Sequence, residues 1–204
     1  TVGCGGDEFR NLPADLVHGL EPGTHFSHTH GFIAERLRGA ERVVVVGGGQ
    51  SAAEAVQALL DEMPIPAIVW IALAEPLVHR YPIPPRFFNT KYCESLSGLP
   101  LAERRRVIDA VAQRGSMISP DTYARLIPPK HHRLVTHFGT EIAQTRPQGE
   151  RLRLTLRGGA TIEADHLVLG TGYSFDVRRL PFLSSLLDDL EIDAHYPILD
   201  RHFQ

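Results

Sequence analysis

The sequence has little of several features that mark particular classes of protein. Among its 204 residues there are two cysteines, Cys4 and Cys93, too few for a disulfide framework or a cysteine-based metal site. We therefore expect no bound metal and a reducing, cytoplasmic setting. No apolar run approaches the roughly 20 residues that span a bilayer. The first residues also lack the charged start and apolar core of a signal peptide.

Signals for binding nucleic acid or metal ions are also missing. Lysines and arginines number 21 against 24 acidic residues, and the two signs are interspersed, so no basic stripe suggests a nucleic-acid partner. Three histidines, His25, His28 and His30, lie close together but match no recognised zinc-ligand spacing. The pattern favours solvated loop histidines over a metal site.

The sequence at both ends of the chain is typical of positions inside a longer fold. The start, "TVGCGG" from Thr1, is typical of the end of a strand, and the last residues, "YPILDRHFQ", contain no closing element. We expect the chain to be a piece of a longer protein.

What is present is an alternation of β and α patterns. Residues 43–46 form a short apolar strand, residues 50–62 show helical spacing, and residues 67–73 form a second strand. The remaining elements are predicted as an irregular loop over 75–100, a helix over 100–114, a helix capped by Ser119 with Pro120 at its first position, strands near 133–136 and 140–146, a hairpin turning at Gly158-Gly159, and a strand over 166–169. This order predicts a three-layer, Rossmann-like α/β fold with a mostly parallel sheet.

The glycines between the first strand and the first helix carry the clearest chemical signal. The residues Gly47, Gly49 and Ala52 fit G-x-G-x-x-A, in which the first glycine makes the turn and the second lets the backbone approach a pyrophosphate. Ala52 would keep the helix close to the strand. The helix N-terminus then faces the phosphates, and Gln50 and Ser51 are candidates for further hydrogen bonds to them. The strand before and the helix after this turn predict a dinucleotide site.

The choice between NADH and NADPH stays open at this point. The residue after the second strand normally binds the ribose diol through an acid, or the 2′-phosphate through a cation. Glu75 favours NADH, whereas Arg80, five residues later, favours NADPH.

Four stretches together resemble one enzyme family. They are "HFSHTHGF" (25–32), "VVVVGGGQSAAEAV" (43–56), "RFFNTKY" (86–92) and "LVLGTGYSFD" (167–176). Their order and spacing are similar to those of the flavin-dependent N-hydroxylating monooxygenases, the L-lysine N6- and L-ornithine N5-monooxygenases of siderophore biosynthesis. The likeness extends across nearly the whole chain. It departs from the family where Glu75 stands in place of an arginine and where "RGSMIS" (114–119) stands in place of Asn-Tyr-Ser.

The resemblance implies an oxidoreductase that uses NADPH and FAD to hydroxylate a primary amine through a flavin hydroperoxide. It implies that Asn89 lies near the substrate and the nicotinamide, as the catalytic candidate. It also implies that His28, Thr29, Thr171 and Gly172 lie close to the dinucleotides. A small-molecule amine is the expected substrate, and a homo-oligomer is plausible for the complete protein.

The resemblance further implies a division into three parts. Residues 1–32 would be a linker and a remnant of an FAD-type domain, 33–162 the NAD(P)-binding domain, and 163–204 the return into the FAD-type domain. Two alternatives stay open from the residues: a flavoprotein reductase of the same architecture, and a non-catalytic nucleotide-binding module.

Overall fold

A computed structural model describes residues 9–78, 89–112, 117–127 and 131–198. The chain divides into two compact units. The larger unit comprises residues 10–80 and 116–172, and the smaller unit comprises residues 1–9, 81–115 and 173–204. Within the described ranges, no helix is both long and apolar enough to cross a membrane.

The helices and strands alternate through the larger unit. Its α-helices are α1 (Ala14–Val17), α2 (Gln50–Glu62) and, numbered in chain order, α5 (Pro120–Leu126). Its strands are β1 (Phe26–His28), β2 (Arg42–Val46), β3 (Ala67–Ala72), β4 (Leu77–Val78), β5 (Met117–Ile118), β6 (Leu134–Phe138), β7 (Ile142–Gln148), β8 (Arg151–Leu156), β9 (Thr161–Ala164) and β10 (His166–Leu169). The smaller unit contributes α3 (Thr90–Ser97), α4 (Leu101–Ala112), β11 (Ile192–Asp193) and β12 (Tyr196–Pro197).

A five-stranded parallel sheet forms the centre of the larger unit. Its strand order is β1-β10-β2-β3-β6, and each neighbouring pair runs parallel. All five strands therefore end at one carboxyl edge, which is where open α/β sheets bind their ligands. The predicted α/β class with a mostly parallel sheet is confirmed.

The alternation of side chains along the strands builds a layer on each face of the sheet. On one face, Val43, Val45 and Trp70 pack with the apolar residues of α2 and α5. On the other face, Val44 and Ile71 pack against the antiparallel sheet β7-β8-β9. Because every second residue of a strand points to the same face, the run of valines serves both layers.

The smaller unit has a separate aromatic core. Phe9 is fully buried, and its ring centroid lies 5.3 Å from that of Phe175, which in turn stacks on Tyr196 at 5.3 Å. Next to this core, Arg178 donates to both carboxylate oxygens of Asp176. These bonds lower the pKa of Asp176 to about 2, because they favour the charged carboxylate.

Most predicted elements are present, and one is wrong. The helix over residues 50–62 matches α2, Ser119 caps α5 with Pro120 at its first position, and the hairpin turns at Gly158-Gly159 between β8 and β9. The irregular loop predicted over 75–100 contains β4 and α3, so that prediction fails. The many prolines and aromatics of this stretch concealed the eight residues of α3 that follow Asn89.

The predicted domain boundaries at 33 and 162 stay predictions, and the two compact units follow other limits. Strands β1 and β10 lie on the outer sides of those boundaries, yet they form the first two strands of the central sheet. Their pairing joins segments far apart in sequence, which no local pattern records. The assignment of the flanking segments to an FAD-type domain stays a prediction.

Candidate functional site

The glycine turn joins β2 to α2 at the carboxyl edge of the sheet. Gly47 follows the strand with a φ of +131°, a conformation open to glycine and rarely to other residues. Gly49 is the N-cap of α2, and no side chain caps that helix end. The first turn of α2 also contains no acidic residue. The first turn of α2 thus leaves the positive end of the helix dipole without an acidic side chain of its own, as an anion site requires.

Close packing explains why small residues occupy this turn. A Cβ at Gly47 would lie 2.8 Å from the carbonyl carbon of Gly170, with the carbonyl oxygen closer still. A Cβ at Gly170 would lie 2.6 Å from the Cβ of Ala52, which is fully buried. The start of α2 is therefore pressed directly against the backbone that follows β10. Gly47 thus lies in the turn as predicted, and Ala52 keeps α2 close to the sheet at the residue that follows β10.

A buried tryptophan fixes the glycine turn through a hydrogen bond. The indole Nε1–H of Trp70 donates to the carbonyl oxygen of Gly47 at 2.7 Å, and Trp70 is fully buried. On the other side of the same residue, the N–H of Gly47 donates to the carbonyl of Ile71 at 2.9 Å. Both polar groups of the Gly47 backbone are thus satisfied by β3, which fixes the orientation of the turn. Sequence reasoning missed Trp70.

Gln50 uses its side chain to join α2 to α5. Its Oε1 accepts from the N–H of Ser119 at 2.9 Å, and its Nε2 donates to Thr122 at 3.1 Å and to Glu54 at 3.0 Å. These contacts position Ser51 and the first turn of α2 against α5. The predicted contact of Gln50 with a phosphate stays a prediction, and it would have to compete with these bonds.

Glu75 lies three residues beyond β3, at the same carboxyl edge. Its carboxylate accepts a hydrogen bond from the hydroxyl of Tyr123 on α5 at 3.0 Å. This bond raises the pKa of Tyr123, because the hydrogen bond from the hydroxyl to the carboxylate stabilises the protonated phenol. Arg80, the alternative cofactor residue, lies outside the described residues.

The ends of β1 and β10 bring four further candidates to this edge. The N–H of Thr29 donates to the carbonyl of Leu169 at 2.9 Å, and His28 Nε2 donates to the carbonyl of Gly172 at 3.1 Å. Thr171 donates its hydroxyl to the carbonyl of Asn11, and Asn11 also binds the carbonyl of Gly172. The structure therefore places His28, Thr29, Thr171 and Gly172 together, one strand away from the glycine turn.

Two of the three clustered histidines, His25 and His28, are not the solvated loop residues that the sequence suggested, whereas His30 is exposed in a turn. His25 and His28 are both buried, and a backbone N–H donates to Nδ1 of each ring. The remaining nitrogen of each ring then donates to a carbonyl, of Gly149 and of Gly172 respectively. Each imidazole thus joins the segment around β1 to another element. In the part of the chain that the structure describes, no group of three potential metal ligands is found.

Burial of histidines predicts a dependence of stability on pH. Burial lowers the pKa of His166 and of His28 from 6.5, since desolvation disfavours the charged ring. Below pH 6.5 the unfolded chain binds more protons than the folded one, so the free energy of unfolding should fall as the pH drops from 7.5 to 5. For His166 the slope is at most about 1.4 kcal/mol per pH unit.

Urea titrations between pH 5 and pH 8 measure this dependence. The His166→Gln variant should show a shallower decline of unfolding free energy with falling pH than the parent chain. An equal slope in the two proteins would show that His166 does not contribute.

Asn89 belongs to the smaller unit and has a visible local role. It is the N-cap of α3, where its Oδ1 accepts from the N–H of Lys91 at 3.0 Å, and it is exposed. A capping role of this kind stabilises a helix by about 1 kcal/mol. Its predicted place beside substrate and nicotinamide stays a prediction.

The sheet order, the glycine turn and the uncapped helix define a dinucleotide-binding α/β domain of the Rossmann type. The family model for L-lysine 6-monooxygenase/L-ornithine 5-monooxygenase matches residues 2–175. The chain therefore belongs to this family, as the resemblance of its motifs implied. Among curated protein sequences, none matches the chain.

Solved structures of amine monooxygenases are similar to the chain. L-lysine 6-monooxygenase from Pseudomonas syringae is 25% identical, with a TM-score of 0.73 over 95% of this chain and 50% of its own. Ornithine hydroxylase (PvdA) from Pseudomonas aeruginosa, at 23% identity, shares the fold with a TM-score of 0.71, covering 91% of this chain and 48% of its own. Ornithine N-hydroxylase from Kutzneria sp. 744, solved with reduced FAD, NADP+ and L-ornithine, is 22% identical with a TM-score of 0.66 over 87% and 48%. The chain thus spans about half the length of these structures.

Proposed function

We propose that the chain is the NADPH-binding part of an FAD-dependent monooxygenase that hydroxylates a primary amine, such as the side-chain amine of an amino acid. The single observation that carries the proposal is the uncapped N-terminus of α2 behind the glycine turn, in a chain of this family. NADPH supplies hydride to the flavin when both are bound, and the reduced flavin activates O₂. The cytoplasmic setting predicted from the cysteines is part of the same proposal.

In this proposal the residues of the chain bind and orient the nicotinamide nucleotide. The backbone amides of Gly49, Gln50 and Ser51 hold the diphosphate, and the bare surface of the glycines lets it approach the helix end. His28, Thr29, Thr171 and Gly172 line the side of the site toward β1. Asn89 orients the nicotinamide or the amine. The substrate class is supported by the relatives, whose names specify lysine and ornithine.

A charge placed at the N-cap of α2 tests the diphosphate site without harming the fold. Gly49 has φ −89° and ψ 176°, a backbone conformation that any residue adopts, so aspartate at this position should cap α2. The Gly49→Asp variant should keep or slightly raise the unfolding free energy, by a few tenths of a kcal/mol. It should weaken NADPH binding on the order of 100-fold, because the carboxylate repels the diphosphate.

The matched control is Gly49→Asn, which caps the helix without a charge. Calorimetric titration of the parent chain and both variants with NADPH separates the effect of the charge on the affinity from the effect of side-chain size. The asparagine variant should bind more tightly than the aspartate variant. If Gly49→Asp bound NADPH as tightly as the parent chain, the diphosphate would not bind at this turn, and the proposed function would be wrong.

A further inference from the structure

A surface pocket lies at the carboxyl edge of the sheet, at the ends of β3 and β6. It is lined by Leu73, Gly139, Thr140, Glu141, Arg157 and Gly158. Leu73 and Gly139 directly follow β3 and β6, two neighbouring strands of the sheet. Leu73 is 71% exposed and gives the pocket an apolar wall. The pocket is therefore an apolar surface that something of matching shape can cover.

The charged part of the pocket lining consists of one cation, Arg157, and one carboxylate, Glu141. Arg157 is 77% exposed and forms an ion pair with Glu141. Its backbone N–H donates to the carbonyl of Glu141 at 2.9 Å, so the start of the β8-β9 turn is fixed at the pocket rim. Because exposed ion pairs contribute little to stability, the guanidinium can exchange the carboxylate for a stronger anionic partner.

The position of the pocket matches one part of a dinucleotide. In Rossmann folds the diphosphate lies at the helix that follows the first strand, and the adenosine ribose is recognised at the end of the second. Here β2 is the first of these strands and β3 the second, and neighbouring strands lie about 5 Å apart. The pocket thus begins where the 2′-position of the ribose is expected.

The residues at the end of β3 do not themselves supply a cation in the described segment. The acid Glu75 is held by Tyr123 of α5, which packs on the α2 face of the sheet. Leu73 lies two residues beyond Ile71, whose side chain belongs to the opposite face, with β7-β8-β9. Arg157 extends from the antiparallel sheet of that same face.

We propose that Arg157 binds the 2′-phosphate of the adenosine half of NADPH in this pocket, and so makes the chain select NADPH over NADH. The proposal rests on the proposed function, because it needs a dinucleotide at the glycine turn. A planar guanidinium holds a phosphate with two parallel hydrogen bonds, which fits a group at the rim of an apolar pocket. Glu141 competes for the guanidinium and limits the affinity.

Calorimetric titration of the chain with NADPH and with NADH tests the assignment. The parent chain should bind NADPH more tightly, and Arg157→Gln should weaken NADPH binding about tenfold, the value of one exposed charge-assisted contact. Binding of NADH should change less than twofold. The matched control is Arg153→Gln in β8, the strand that Arg157 directly follows, since Arg153 pairs with Glu163 in the same way at 3.3 Å but does not line the pocket.

A second variant and a second pair of probes make the outcomes distinct. Glu141→Gln should strengthen NADPH binding several-fold, and 2′,5′-ADP should respond to Arg157→Gln whereas 5′-ADP should not. If the parent binds NADH as tightly as NADPH, or if Arg157→Gln weakens both equally, the assignment of Arg157 is wrong while the dinucleotide site stands. If neither nucleotide binds, the proposed function fails with it.

Discussion

Replacing Gly47 with alanine should destabilise the chain by about 3–5 kcal/mol, a large part of the stability of a typical domain. Two costs add at this position. The φ of +131° is strained for any residue with a Cβ. The new Cβ would also lie 2.8 Å from the carbonyl carbon of Gly170, and neither backbone can move without separating α2 from β10. Urea-induced unfolding at neutral pH measures the loss.

Two other glycines provide a graded control for this variant. Gly139 has a φ of +76° but nothing within 4 Å of its missing Cβ, so Gly139→Ala should show only the strain, about 1 kcal/mol. Gly158 has open space and no positive φ, so Gly158→Ala should be neutral or slightly stabilising. If Gly47→Ala unfolds at the same urea concentration as Gly139→Ala, the contact with Gly170 is not decisive.

The parts of the structure that depend on neighbouring residues could be predicted from the sequence. Helix α2 and the turn before it follow from an apolar strand, three glycines and a helical repeat, all within about twenty residues of one another. The cap of α5 follows from Ser119 and Pro120. The hairpin between β8 and β9 follows from Gly158-Gly159 between alternating strands.

The parts that depend on distant contacts could not be predicted. Nothing near Gly170 in the sequence indicates that its backbone touches Ala52, and nothing near His28 indicates its hydrogen bond to the carbonyl of Gly172. Similarly, Gln50 reads as a phosphate ligand when only its motif is considered, yet its amide is bonded to α5. The tertiary structure is therefore needed to decide whether a side chain at a predicted site binds a ligand or only packs against its neighbours.

Trp70 is the clearest case of such a distant contact, and its replacement is the second large effect that we expect. Trp70→Phe removes the indole N–H that binds the Gly47 carbonyl at 2.7 Å, while keeping an aromatic ring next to Phe138. The loss of buried area and of a buried hydrogen bond should lower the unfolding free energy by about 2–3 kcal/mol. The carbonyl of Gly47 would lose its partner, so the turn would become less well ordered.

Binding distinguishes this role from simple packing. A less ordered turn must be fixed when the diphosphate binds, so Trp70→Phe should weaken NADPH binding about tenfold, measured by calorimetry well below the unfolding temperature. The control is Ile68→Ala, which removes a fully buried side chain from the same strand and the same face at a cost of about 2–5 kcal/mol. That variant should retain the parent affinity, because Ile68 does not contact the turn through a hydrogen bond. Equal affinities for all three proteins would mean that Trp70 only fills the core, and that the turn keeps its shape through the Gly47 N–H bond to Ile71 and the contact between Gly47 and Gly170.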